Sequence, residues 1–167
     1  NIQHLQPSPA QTLHLDHCEL WINPFNPNHL ALGNDGGLYV SYDKGANWLH
    51  LNNIPTGEFY DITLDDQKPY NIYGGVQDNA TVYGPAKEWN PYKHDTWKYL
   101  WIDPWSGGDG CVTQVDPNDP NTVYFSRQHG DGLRKDMAAD TSITIGPSHK
   151  KTSKENNLRY NFVSPYF

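Results

Sequence analysis

The chain has 167 residues, and its 14 Gly, 13 Pro, 16 Asn and 15 Asp put about a third of it into types that start turns rather than extend helices. Twenty-two aromatic residues against seven Ala and one Met favour strands, so an all-β chain is expected and long helices are excluded. The formal net charge of −7 argues against nucleic acid as the main partner, because phosphate binding needs a basic face; no apolar run approaches a membrane span and no N-terminal stretch reads as a signal peptide.

Residues 1–15 read as a lead-in, after which one phrase repeats: a strand, a Pro-containing turn, a second strand and a Gly- or Asp-rich loop. The first copy runs from Trp21-Ile22-Asn23-Pro24-Phe25-Asn26-Pro27-Asn28 to Gly33-Asn34-Asp35-Gly36-Gly37. Its strands are expected at Cys18–Asn23, His29–Gly33, Gly37–Tyr42 and Trp48–Asn52. The second copy, around Ile62–Tyr73 and Gly74-Gly75-Val76-Gln77-Asp78-Asn79, lacks the first proline. Its aromatic stretch Trp89–Trp105 contains the alternation Trp97, Tyr99, Trp101, expected as the buried face of a fourth strand. The third copy is Gln114–Tyr124 followed by Gln128-His129-Gly130-Asp131-Gly132, and a fourth begins at Phe162-Val163-Ser164-Pro165. Pro27 to Pro69 is 42 residues, Pro69 to Pro120 is 51 and Pro117 to Pro165 is 48, the period of a four-stranded propeller blade. Blades are therefore expected at 16–57, 58–108 with the aromatic insertion, and 109–157 with a polar Lys-bearing loop, with 158–167 opening another.

The segment Ser41-Tyr42-Asp43-Lys44-Gly45-Ala46-Asn47-Trp48 matches the Asp-box pattern Ser/Thr-x-Asp-x-Gly-x-x-Trp of sialidases, xyloglucanases and sortilin-type receptors. Ser41, Asp43, Gly45 and Trp48 are read as structural: the carboxylate takes turn amides, the glycine tolerates positive φ and the indole packs the hairpin. With His14-Leu15-Asp16-His17-Cys18-Glu19-Leu20-Trp21, Gly57-Glu58-Phe59-Tyr60-Asp61, Gly107-Gly108-Asp109-Gly110 and Leu158-Arg159-Tyr160-Asn161-Phe162, the chain resembles a bacterial family of large secreted Asp-box (BNR-repeat) propellers, described as sortilin-like or as glycosyl hydrolases. The second and third copies lack a full Asp box. The resemblance implies a propeller of six or more blades of which these three are a fragment, an extracellular or cell-surface location, and the remaining blades as partners.

In such a blade the loop between the second and third strands and the loop before the first strand emerge on one face. That face collects Asn34, Asp35, Gln77, Asp78, Asn79, Gln128, His129 and Asp131 with Asp16, His17, Glu58 and Asp109. Glycoside hydrolysis needs two carboxyl groups, one acid and one base or nucleophile, about 5–5.5 Å apart for retention or 6.5–9.5 Å for inversion. Asp35 and Asp109 are the expected pair, with Asp16 and Asp78 second; Trp105, His17, Gln77 and His129 are the expected binding groups. The competing reading is that Asn-Asp-Gly-Gly and Gly-Gly-Asp-Gly are only tight turns. No zinc-type His spacing and no calcium-loop order occurs, Asp116–Asn121 included, so no metal or cofactor is expected. The sialidase arginine triad is not recognisable among Arg127, Arg134 and Arg159. Cys18 and Cys111 read as two small buried thiols, or as a single bridge. The partner is a polysaccharide or glycan, or a protein held by a non-catalytic scaffold.

Overall fold

The computed structural model describes residues 13–51, 57–87, 97–101, 108–146 and 160–165. They form three four-stranded sheets, each made of strands consecutive in the chain and paired in that order. The first holds β1 (His17–Ile22), β2 (Leu30–Asn34), β3 (Gly37–Ser41) and β4 (Leu49–His50). The second holds β5 (Phe59–Leu64), β6 (Asn71–Val76), β7 (Thr81–Pro85) and β8 (Lys98–Trp101). The third holds β9 (Gly110–Asp116), β10 (Asp119–Arg127), β11 (Gly132–Asp136) and β12 (Thr141–Thr144). Every pairing is antiparallel, and the described residues contain no α-helix. The all-β expectation and the four-strand repeat therefore hold for the described residues, with strand ends within a residue or two of those drafted for the first copy.

Turn chemistry separates the strands. Between β1 and β2, Asn23 accepts the N–H of Phe25 on its side-chain oxygen at 2.9 Å. Between β5 and β6, buried Asp65 accepts the N–H groups of Gln67 and Asn71, the Asn71 side-chain amide and the Tyr73 hydroxyl. Between β9 and β10, Asp116 and Asp119 accept the N–H groups of Asn118 and Asn121. One Asx device thus recurs at the same place in all three sheets.

The second and third sheets pack tightly because glycine lets their backbones meet. A Cβ on Gly75 in β6 would lie 2.1 Å from the Cys111 carbonyl oxygen of β9, and one on Gly110 would lie 2.3 Å from the Ala80 carbonyl. The Thr63 hydroxyl donates to the Thr113 carbonyl at 2.7 Å across the same joint. Above it sits the core of Tyr73, Leu100, Val123 and Phe125, flanked by Tyr83, Trp101, Val115, Leu133 and Met137. Each such side chain contributes about 1.5–3 kcal/mol by burial.

The alternation at 97–101 resolves differently from expectation. Leu100, not an aromatic residue, is the fully buried side chain of β8, while Trp97, Tyr99 and Trp101 are half-buried. A register shift between Thr81 and Val82 in the β7–β8 pairing breaks the period of two, so alternate residues no longer share one face. Both sides of this strand are occupied: Leu100 joins the core against the third sheet, and burial raises the Tyr99 hydroxyl, with a smaller contribution from Tyr39 of the first sheet.

Several strands face solvent, β12 at all four of its residues. In β1 all six residues are exposed, including Leu20, Trp21 and Ile22, and Ile62 and Leu64 of β5 are about half exposed. Residues 160–165 form no strand. Instead Phe162 lies edge-on to the rings of Tyr60 and His129, and its carbonyl accepts the His129 N–H at 2.9 Å.

Candidate functional site

Asp16, Asp35 and Asp78 meet on one side of the molecule, with one oxygen from each lying within 4.8 Å of the others. Asp16 comes from the segment before β1, Asp35 from the turn between β2 and β3, and Asp78 from the corresponding turn between β6 and β7. Asp16 and Asp78 sit at φ of 56° and 54°, the left-handed region that Asp tolerates better than most residues. At the first-sheet turn, Asn34 accepts the Gly36 N–H at 2.9 Å and Gly37 takes φ +114°, which turns the Asp35 side chain outward. Asp16 and Asp35 are exposed and Asp78 is half-buried.

Three carboxylates this close cannot all carry full charge cheaply. Burial raises the Asp78 carboxyl first, a hydrogen bond with Asp35 raises it further, and the charge of Asp109 adds to both. All of these favour the protonated form of Asp78 over its carboxylate. Three oxygens so placed could also sit round a hard cation. Nothing else among the described residues points to one.

Asp109 is placed otherwise. It is 5% exposed and accepts the Tyr60 hydroxyl at 3.1 Å, the Asp78 N–H at 3.2 Å and the Gln128 side-chain amide at 2.5 Å. It stands one step behind the trio, holding the Asp78 turn from the third sheet. Its negative charge, after burial, lifts the Tyr60 hydroxyl to about 12.

The binding candidates divide. Gln77 is beside Asp78, its N–H donating to the Glu58 carbonyl at 2.9 Å and its side chain lowering the Asp78 carboxyl in opposition to the larger raising effects. His17 is exposed on β1 opposite Asn34. His129, at φ 60° in the short 3-10 turn Gln128–Gly130, packs on Phe162. Trp105 lies outside the described residues. Arg127 stands over the Trp101 ring, 4.8 Å from its centroid, and pairs with Asp131.

The Ser41–Trp48 turn is held mostly by its own groups, with the Lys44 N–H donating to the Asn28 carbonyl of the β1–β2 turn at 3.0 Å. The Ser41 hydroxyl donates to Asp43 at 2.8 Å and accepts the Gly45 N–H at 2.8 Å, while Asp43 takes the main-chain and side-chain N–H groups of Asn47 at 2.8 and 2.7 Å. Gly45 has φ +86°, and a Cβ there would stand 3.2 Å from the Trp48 indole. The Asn47 side chain, then its N–H and Ser41, hold the Asp43 carboxyl below the usual carboxylate range. Both thiols are free: Cys111 is buried, as read from the sequence, whereas Cys18 is exposed, its Sγ 3.7 Å from the Asp35 carboxylate. The exposure of β1 on both faces is the reason.

Sequence reading missed His14, Cys18 as a neighbour of Asp35, and Tyr60. Each acts across distant stretches of chain, Tyr60 at a separation of 49 residues from Asp109, and no local pattern announces such a pairing.

No family model and no curated protein matches the chain. Among solved structures it is similar to apo AztD from Citrobacter koseri, at 13% identity and a TM-score of 0.35, over 83% of this chain and 37% of that one. At that score the likeness carries no argument about function.

Proposed function

We propose that the chain is part of a secreted or cell-surface Asp-box β-propeller whose loop face takes a glycan and hydrolyses it. The observation that carries this reading is the meeting of Asp16, Asp35 and Asp78, one oxygen of each within 4.8 Å of the others, with the Asp78 carboxyl raised. A carboxyl whose acid form is favoured, beside a second carboxylate, is what glycosidic cleavage requires. One oxygen of each aspartate lies within 4.8 Å of the others, closer than the ~5–5.5 Å typical of retaining pairs and well below the ~6.5–9.5 Å that leaves room for an inverting water.

In this reading Asp78 replaces Asp109 as the partner of Asp35. Asp78 delivers its proton to the glycosidic oxygen, Asp35 attacks the anomeric carbon, and Asp16 stabilises the positive charge that develops on the sugar. Water then releases the sugar with Asp78 as base, which restores the proton. Asp109, through the Asp78 N–H, fixes where the acid sits. The open strands β1 and β5, with Leu20, Trp21, Ile22, Ile62 and Leu64, are faces for the remaining blades.

A second reading, a sortilin-like scaffold that grips a protein or glycan without chemistry, draws support from the engagement of Asp109 by three donors. A screen of the full-length protein against plant, algal and microbial polysaccharides separates the two. Release of reducing ends supports the enzyme, whereas binding without release moves the protein to the scaffold class.

A further inference from the structure

His14 lies 2% exposed under the turn that carries Asp35, and its carbonyl and both ring nitrogens have polar partners. Its carbonyl accepts the Asn34 side-chain amide at 3.1 Å. Its Nε2 is 3.0 Å from the carbonyl oxygen of Asp78 in the second sheet, and its Nδ1 is 3.2 Å from the carbonyl oxygen of Leu15. The seat is fitted to the ring: a Cβ on Gly36 would stand 2.4 Å from the His14 Cβ and 2.8 Å from its Cγ.

Both ring nitrogens therefore face carbonyl oxygens, which only accept. A neutral imidazole has one N–H and can satisfy one of them, leaving a lone pair against a lone pair at the other; only the doubly protonated ring donates to both. We propose that His14 is a proton-operated clasp between the first and second sheets, closing the carboxylate site when protonated and loosening it when neutral. The clasp governs how the site is assembled and stands apart from what the site binds.

The ionisable groups of the surrounding elements are Asp16 on its own segment, Asp35 on the β2–β3 turn, Asp78 on the β6–β7 turn, and the Tyr39 hydroxyl of β3, on which His50 of β4 stacks at 4.3 Å. Protonation of Asp78 in more acidic solution acts in the same direction as protonation of the ring, by relieving repulsion in the trio, so the two contributions must be separated by variants.

The test is an NMR titration of the full chain between about pH 5 and pH 8, following the His14 ring nitrogens and the backbone amides of Asp78 and Asn79, with hydrogen exchange of the same amides. Both ring nitrogens are expected to carry protons at the acid end. The Asp78 and Asn79 amide shifts are expected to follow the ring with one midpoint, and their protection, corrected for intrinsic exchange, to fall about two- to tenfold as the ring becomes neutral, the worth of one hydrogen bond. In Asp78→Asn the response persists; in His14→Gln it disappears. Amide shifts in the unaltered chain that do not follow the ring overturn the proposal even where His14→Gln fails to fold, as does an unchanged response in a folded His14→Gln.

Discussion

The side-chain amide of Asn79 donates to the carbonyl oxygen of Asp35 at 3.0 Å, joining the equivalent turns of two neighbouring sheets. The same amide also donates to Gln77 within its own turn at 2.9 Å, so one side chain fixes both the shape of the Asp78 turn and its distance from Asp35. Asn79→Ala is expected to lower stability by about 0.5–1.5 kcal/mol in denaturant unfolding and to loosen the carboxylate site. No change in either would mean that the bond holds nothing in place.

Backbone contact between the second and third sheets predicts a contrast between two glycines. Gly75→Ala places a methyl 2.1 Å from a carbonyl oxygen that cannot retreat without parting β6 from β9, so a loss of about 4 kcal/mol or more, or failure to fold, is expected. Gly33→Ala meets nothing nearer than 4.0 Å and is expected to stay within about 0.5 kcal/mol. Equal behaviour of the two in thermal unfolding would contradict the joint described.

Ser41 is almost fully buried and both donates to Asp43 and accepts from Gly45. Ser41→Ala leaves the Gly45 N–H and one carboxylate oxygen short of a partner, and about 1–2 kcal/mol of stability is expected to be lost, measured by urea unfolding. The first sheet should register the loss first, because the turn belongs to its β3–β4 hairpin.

Acid and base move the carboxylates in opposite ways. Asp78 is raised, so the fold is favoured by its protonated form; that contribution is complete below the ordinary carboxylate range, near pH 4, and is lost as pH rises through the folded value. Asp43 and Asp119 are lowered, Asp43 by Asn47 and Ser41, Asp119 first by Thr122; what they contribute is present above the ordinary range and is lost as pH falls. Asp78→Asn is accordingly expected to be more stable than the unaltered chain at pH 7 and to lose that advantage toward pH 4. An advantage independent of pH would show that charge is not the cause.

The fold was legible because its signals are local. Proline, Asn and Asp at fixed offsets mark the same turn in each sheet, and the position held in turn by Asn23, Asp65 and Asp116 keeps its Asx role while its residue changes. The repeat also brought Asp16, Asp35 and Asp78 to one face from three separate stretches. What it could not supply is depth. Asp35 and Asp109 stand at equivalent-looking Gly-rich turns, yet one is exposed and the other is 5% exposed beneath Tyr60 and Gln128, a difference made by contacts 49 and 19 residues away. The aromatic run misled for a related reason: a strand covered on both faces, with its register shifted, has no period of two to read.

The central claim is that Asp78 and Asp35 act as an acid and its carboxylate partner. It is tested most directly by turnover of full-length protein on whichever polysaccharide it cleaves, comparing Asp35→Asn, Asp78→Asn and the unaltered protein across pH. A loss of about 100-fold or more in each variant, with the alkaline fall of the rate abolished in Asp78→Asn, is the expected result. Turnover unchanged in both variants would contradict it.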